Sequence, residues 1–166
     1  MTLGNQVEWG LHCMAVLGGL PSDTRISSKF LAEYHGVPKE YLLKSLQLLS
    51  NAGLVDSSLG PKGGYRLAKA ADQITFLEIV EAIEGRQNTF QCSEIRKNNP
   101  CIKNKKSFSA KCLIARSMHQ ADEAWRESLR KTKLSEIIKE FVATTDPEQL
   151  RANAEWFSEH VSQASK

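Results

Sequence analysis

Cys92, Cys101 and Cys112 lie in or beside the stretch from Gly85 to Ala110, which carries no periodic apolar pattern. Thiolates are the ligands that soft metals and iron–sulfur clusters select. A segment without regular structure can be ordered by such a group, because binding energy offsets chain entropy. The same thiols also read as scattered residues, since their spacing is wider than metal motifs usually show and no Cys-x-x-Cys pair suggests a ribbon-type zinc site. Cys13 sits inside a helical pattern and is expected to be a small core residue. Glu8 and His12, four positions apart, project from one helix face, where they form either a two-ligand clamp or an ordinary solvated pair. Trp9, beside Glu8, reads as a core or interface anchor. His35, His119 and His160 fit no ligand pattern, and the run Lys103, Lys105, Lys106 and Lys111 reads as a solvated loop.

A second constellation is basic. Leu54 to Ser58 and Tyr65 to Leu67 predict two short strands, joined by a Gly60-Pro61-Lys62-Gly63-Gly64 tip that supplies the positive φ angles of a tight hairpin. Two helices of suitable length precede it. A helix pair followed by a basic, glycine-rich hairpin is the arrangement of a winged helix-turn-helix, in which one helix enters the major groove of DNA and the hairpin lies on the neighbouring backbone or minor groove. A hairpin alone means little; its position after the helix pair gives it weight. Lys39, Glu40, Tyr41, Lys44 and Gln47 are the expected groove contacts, with Lys62 and Arg66 from the wing.

The elements that must position these residues are legible from periodicity and caps. Asn5 to Leu17 predicts a helix with a Val7, Leu11, Met14 and Leu17 stripe. Ser27 is the expected N-cap of a second helix through His35, with Phe30, Leu31 and Tyr34 turned inward. Gly36 marks the turn, Pro38 opens a third helix to about Ala52, and Gly53 stops it. That helix is expected to bury Leu42, Leu46 and Leu49 and to leave Ser45 outside with the basic residues. Thr75 caps a helix over 76–84 with Leu77, Val80 and Ile83 inward. From Cys112 a long amphipathic helix follows, suited to a dimer seam, and two shorter helices over 134–142 and 147–162 complete the chain. The expected organisation is therefore a winged helix-turn-helix domain over 1–84, a cluster-binding loop over 85–111, a dimerisation helix over 112–131 and C-terminal helices over 132–166. The fold class is mainly α with a small β-hairpin.

Composition sets outer bounds. At 166 residues, 41% hydrophobic and 25% charged, the chain is that of a globular protein with a proper core. A net charge of +3 is too small to identify a nucleic-acid partner, so charge placement must do so. No apolar run reaches the about 18 residues of a membrane span, and no signal peptide is evident. The expectation is a cytoplasmic protein whose cysteines are not structural disulfides. No catalytic base–nucleophile pair is evident, so an enzyme is not expected.

The whole pattern resembles the Rrf-type winged-helix regulators of bacteria, over nearly the full chain to about residue 140. The resemblance rests on Tyr41-Leu42, Gly53-Leu-Val55, the Gly60-to-Tyr65 wing, Leu77-Glu-Ile-Val-Glu-Ala-Ile83 and Cys112-Leu-Ile-Ala-Arg116. Within that family the chain looks most similar to the redox-sensitive branch, the RsrR type, over Val7-Glu-Trp-Gly-Leu-His12 and Gln91-Cys-Ser-Glu-Ile-Arg96. The resemblance implies a homodimer on palindromic double-stranded DNA with a [2Fe–2S] cluster as cofactor. It implies Glu8 and His12 of one subunit and Cys92 and Cys112 of the other subunit's loop as ligands. Trp9 neighbours both helix ligands, so it is the expected switch relay, its indole changing pocket when a ligand shifts. Cys101 departs from the family pattern: it either replaces Glu8 or His12 or is a bystander, and the matching positions of Glu8 and His12 favour the bystander. Imidazole ligation would raise the cluster's potential, as in Rieske centres. The alternatives are a cluster-free thiol- or small-molecule-sensing repressor of the same fold and a sensor of nitric oxide or iron–sulfur status. An iron–sulfur carrier or enzyme is the alternative from another class.

Overall fold

The computed structural model describes residues 2–86, 88–101 and 110–163; Lys103, Lys105 and Lys106 lie outside the described residues. Among the described residues, seven α-helices and a small antiparallel sheet follow the chain as α1 (Asn5–Gly19), β1 (Thr24–Ile26), α2 (Ser28–His35), α3 (Lys39–Asn51), β2 (Val55–Ser58), β3 (Gly64–Leu67), α4 (Phe76–Glu84), α5 (Leu113–Lys131), α6 (Leu134–Thr144), α7 (Pro147–His160) and β4 (Val161–Gln163). This is the expected winged-helix class.

Local chemistry accounts for the boundaries. The Ser27 hydroxyl accepts from the Phe30 N–H at 3.3 Å and starts α2. Gly36 ends it in the left-handed region at φ 64°. Thr75 and Glu78 form a reciprocal capping box at the start of α4. In the wing, Val55 pairs with Leu67 and Ser58 with Gly64. Gly64 has φ 142°, and a side chain there would run into the Ile26 carbonyl, so only glycine lets β3 lie this close to β1.

The core forms where the helices converge. Leu42, Leu46 and Leu49 of α3 are fully buried with Met14, Leu31, Ile74, Ile79 and Leu134, and water exclusion at these side chains is the main stabilising term. On α4 the expected Leu77 and Val80 are inside, joined by Ile79. Arg126 of α5, 5% exposed, pairs with Asp122 at 3.2 Å and with Glu81 of α4, which fixes α5 against the head.

Ser45 is a correction to the expected pattern. It is fully buried rather than outside, because its hydroxyl donates to the Gln6 carbonyl at 3.2 Å where α3 packs on α1. The sheet is also larger than a hairpin, with strand order β2-β3-β1-β4. The last strand returns to the head: Thr24 pairs with Gln163 and Ile26 with Val161. In α7, Trp156 stacks on His160 at 4.1 Å and packs near Tyr34 of α2 at 5.3 Å.

Candidate functional site

The outer face of α3 carries Lys39, Glu40, Tyr41, Lys44 and Gln47, all exposed. Lys44 Nζ lies 5.2 Å from the Tyr41 ring centroid, so one cation of this face rests on an aromatic of the same helix. Lys62 is exposed at the wing tip. Arg66 is placed differently, with its Nε donating to Asp56 Oδ2 at 3.0 Å across the hairpin.

Beneath the wing is a group that sequence reasoning passed over. Arg25 of β1, 8% exposed, donates to Asp56 Oδ2 at 2.6 Å, to the Asp56 carbonyl at 3.2 Å and to the Gly64 carbonyl at 3.1 Å. The Arg25 hydrogen bond, followed by that from Arg66, holds the Asp56 carboxyl below its usual range despite some burial. One guanidinium therefore joins both wing strands to β1, and fixes the angle at which the hairpin leaves the domain.

The four expected ligands fall into two pairs. Glu8 and His12 are exposed and one helical turn apart on α1. The His12 ring lies 5.8 Å from that of His35, whose pKa is lowered by burial and then by His12. Cys92 and Cys112 are both half-buried and meet directly, although 20 positions separate them. Cys112 occupies the N-cap position of α5. The backbone N–H of Ala115, then that of Ile114, the Cys92 thiol and the Arg96 charge hold the Cys112 thiol below its ordinary range, against burial. Both thiols line an open cleft of about 480 Å3 with Glu94, Arg116 and His119. Among the described residues no three His, Cys, Asp or Glu side chains gather in a metal-holding group, so one chain does not bring the two pairs together.

The remaining cysteines diverge. Cys101 is exposed, its N–H donating to Asn99 Oδ1 at 2.9 Å. Cys13 is fully buried, and burial pushes its thiol up to about 12, so it packs as an inert apolar group.

Two physical links lead away from these pairs. On α1, Trp9 meets Tyr41 of α3 with ring centroids 6.4 Å apart. On α5, Leu113, Ile114 and Met118 are 66%, 68% and 41% exposed, an apolar strip that this chain leaves uncovered directly after Cys112.

Residues 3–140 match the family model of Rrf2, described as an iron-dependent transcriptional regulator. The chain is 28% identical over 140 residues to the protein rrf2 of Nitratidesulfovibrio vulgaris, covering 84% of this chain and 89% of that protein. It is 28% identical over 138 residues to the HTH-type transcriptional regulator NsrR of Bacillus licheniformis, covering 83% and 92%. Among solved structures it is similar to CymR, the global cysteine regulator of B. subtilis, with a TM-score of 0.67, 24% identity, and 88% and 99% of the two chains covered. That last likeness is one of fold. No helix among the described residues is long and apolar enough to cross a membrane.

Proposed function

Since the chain belongs to the Rrf2 family of transcriptional regulators, we propose that it is a homodimeric, cytoplasmic DNA-binding repressor of the redox-sensitive (RsrR-like) type. It would sense redox state through a [2Fe–2S] cluster shared between two copies. One observation carries this reading: Cys92 and Cys112 are paired at the start of α5, where the next turns expose Leu113, Ile114 and Met118. Half a ligand set thus lies at the edge of an uncovered apolar strip.

The donors fit such a group. Two sulfurs in contact, one of them held toward the thiolate by helix N–H groups, suit iron, and an imidazole and a carboxylate on one helix face complete four ligands. The separation of the two pairs among the described residues supports a shared site, with Glu8 and His12 of one copy beside Cys92 and Cys112 of another. When bound, a [2Fe–2S] cluster supplies a one-electron couple, and imidazole ligation raises its potential.

The chain's own residues turn that event into a change at DNA. Glu8 and His12 ride on α1, and α1 touches α3 through Trp9 and Tyr41 and through the Gln6 carbonyl and Ser45. At Gly10 a Cβ would collide with Ile83, so the helix also lies close against α4 with little slack. A shift of α1 therefore passes to α3, whose outer face reads the groove while Lys62 steadies the backbone.

The test is anaerobic purification followed by absorption and EPR spectroscopy, then DNA affinity in both redox states. Visible absorption with a changed affinity is expected. The direct Cys92–Cys112 contact favours one other reading, a repressor without a cluster in which these thiols are oxidised to a disulfide. Colourless protein whose DNA affinity follows thiol oxidation would establish that reading instead.

A further inference from the structure

Between the two thiols the chain makes an unusual arrangement around one arginine. Ile95–Asn98 forms a 3-10 turn, closed by the Lys97 N–H donating to the Glu94 carbonyl at 2.9 Å. Glu94 itself stands at φ 56°, the one non-glycine with positive φ among the described residues. An L-residue keeps that conformation only where its surroundings hold it there. Here the holder is Arg96, whose Nε donates to Glu94 Oε2 at 2.6 Å and whose Nη2 donates to Oε1 at 3.2 Å. The same Nη2 donates to the Ala110 carbonyl at 2.6 Å.

We propose that Arg96 is a positioning residue that clasps the two ends of the cysteine-bearing loop and holds Cys92 and Cys112 as a preformed pair of sulfur donors. This rests on the reading that these two thiols act together at one site. Cys92 lies two residues before Glu94, and Cys112 two residues after Ala110. The clasp therefore closes the loop between its own ends and leaves each thiol on a short arm just outside. Without it, any group that binds both sulfurs must itself close the loop, at an entropic cost. With it, that cost is met before binding. Cys101 lies between Arg96 and Ala110, on the far side of the clasp from the pair. Lysine cannot replace Arg96, because a single ammonium lacks the planar fork that grips a carboxylate and a carbonyl together.

The experiment uses the apo-protein with Cys101→Ala as background, and phenylarsine oxide as probe. This trivalent arsenical binds two neighbouring thiols with release of water. Buried Cys13 stays out of reach. The background protein should bind one equivalent. Arg96→Ala should weaken binding by about tenfold or more, as expected for loss of charge-assisted hydrogen bonds. Arg96→Lys should weaken it equally, and Glu94→Gln should do so in part. Circular dichroism and continued protection of Cys13 report whether each variant is folded; if Arg96→Ala is not, Glu94→Gln decides. Unchanged binding in the folded variants overturns the clasp, and so does full rescue by lysine, which would leave only charge. A clasp that passes this test in a protein that never takes up a cluster would sink the cluster and keep the clasp. A cluster-loading protein whose arsenical affinity ignores Arg96 would do the reverse.

Discussion

Trp9 meets Tyr41 edge-on, with ring centroids 6.4 Å apart and planes at 65°, so a residue between Glu8 and His12 touches the exposed face of α3. A favourable aromatic pair is worth about 0.5–1.5 kcal/mol beyond its area, enough to bias two packings of α1 on α3. Trp9→Ala should therefore keep the cluster while reducing the ratio of DNA affinities in the two redox states. The half-buried indole limits the loss of stability to no more than about 3 kcal/mol. An undiminished ratio in folded, cluster-loaded Trp9→Ala would remove it as the relay.

The ligand set has its own test. Glu8→Ala, His12→Ala, Cys92→Ala and Cys112→Ala should each weaken or abolish the visible absorption of anaerobic protein, and Cys101→Ala should keep it. A bleached Cys101→Ala beside a coloured Glu8→Ala would point to a three-cysteine site instead.

On DNA, half-sites about one helical turn apart, ~34 Å, are expected for a two-fold dimer. Lys62→Ala should weaken binding to all sequences and flatten the logarithmic salt slope by about 0.9, one phosphate's worth. Changes at Glu40 or Gln47 should alter sequence preference instead. Arg66→Ala should flatten the slope less than Lys62→Ala, because Asp56 already holds that guanidinium. Arg25→Ala should act through the fold, costing about 1–3 kcal/mol by removing one of the two donors to the Asp56 carboxylate and a donor to the Asp56 and Gly64 carbonyls. Gel-shift titration across salt, with melting curves, separates these effects.

Cys13 gives a prediction in pH. Its thiol is raised from 9.0 to about 12 in the fold, so the folded state favours the neutral form. That contribution is complete below about pH 9 and is lost as pH climbs toward about 12, because the unfolded chain ionises first. Urea midpoints should fall over that window, and Cys13→Ala should flatten the decline. An equal decline in Cys13→Ala would assign it to other groups.

Much of the head was legible because its signals are local. Ser27, Gly36, Gly53 and Thr75 each act within a few residues, and each ends or starts a helix where expected. What escaped was long-range. β1 has three residues and no alternation, and only its neighbours make it a strand. Ser45 looks like a solvent residue until the Gln6 carbonyl is placed against it. Arg25 reads as one more surface cation unless β2 and β3 are known to close over it. At the candidate site the residue types were visible, but the Cys92–Cys112 contact and the Arg96 bridge depend on a loop folding back on itself, which periodicity does not record.

The pairing of β4 with β1 has a consequence for how the protein comes into being. Thr24 finds its strand partner at Gln163, so the four-stranded sheet cannot be completed until residues 161–163 have left the ribosome. Until then β1 has an open edge, the kind of surface on which nascent chains stick to one another.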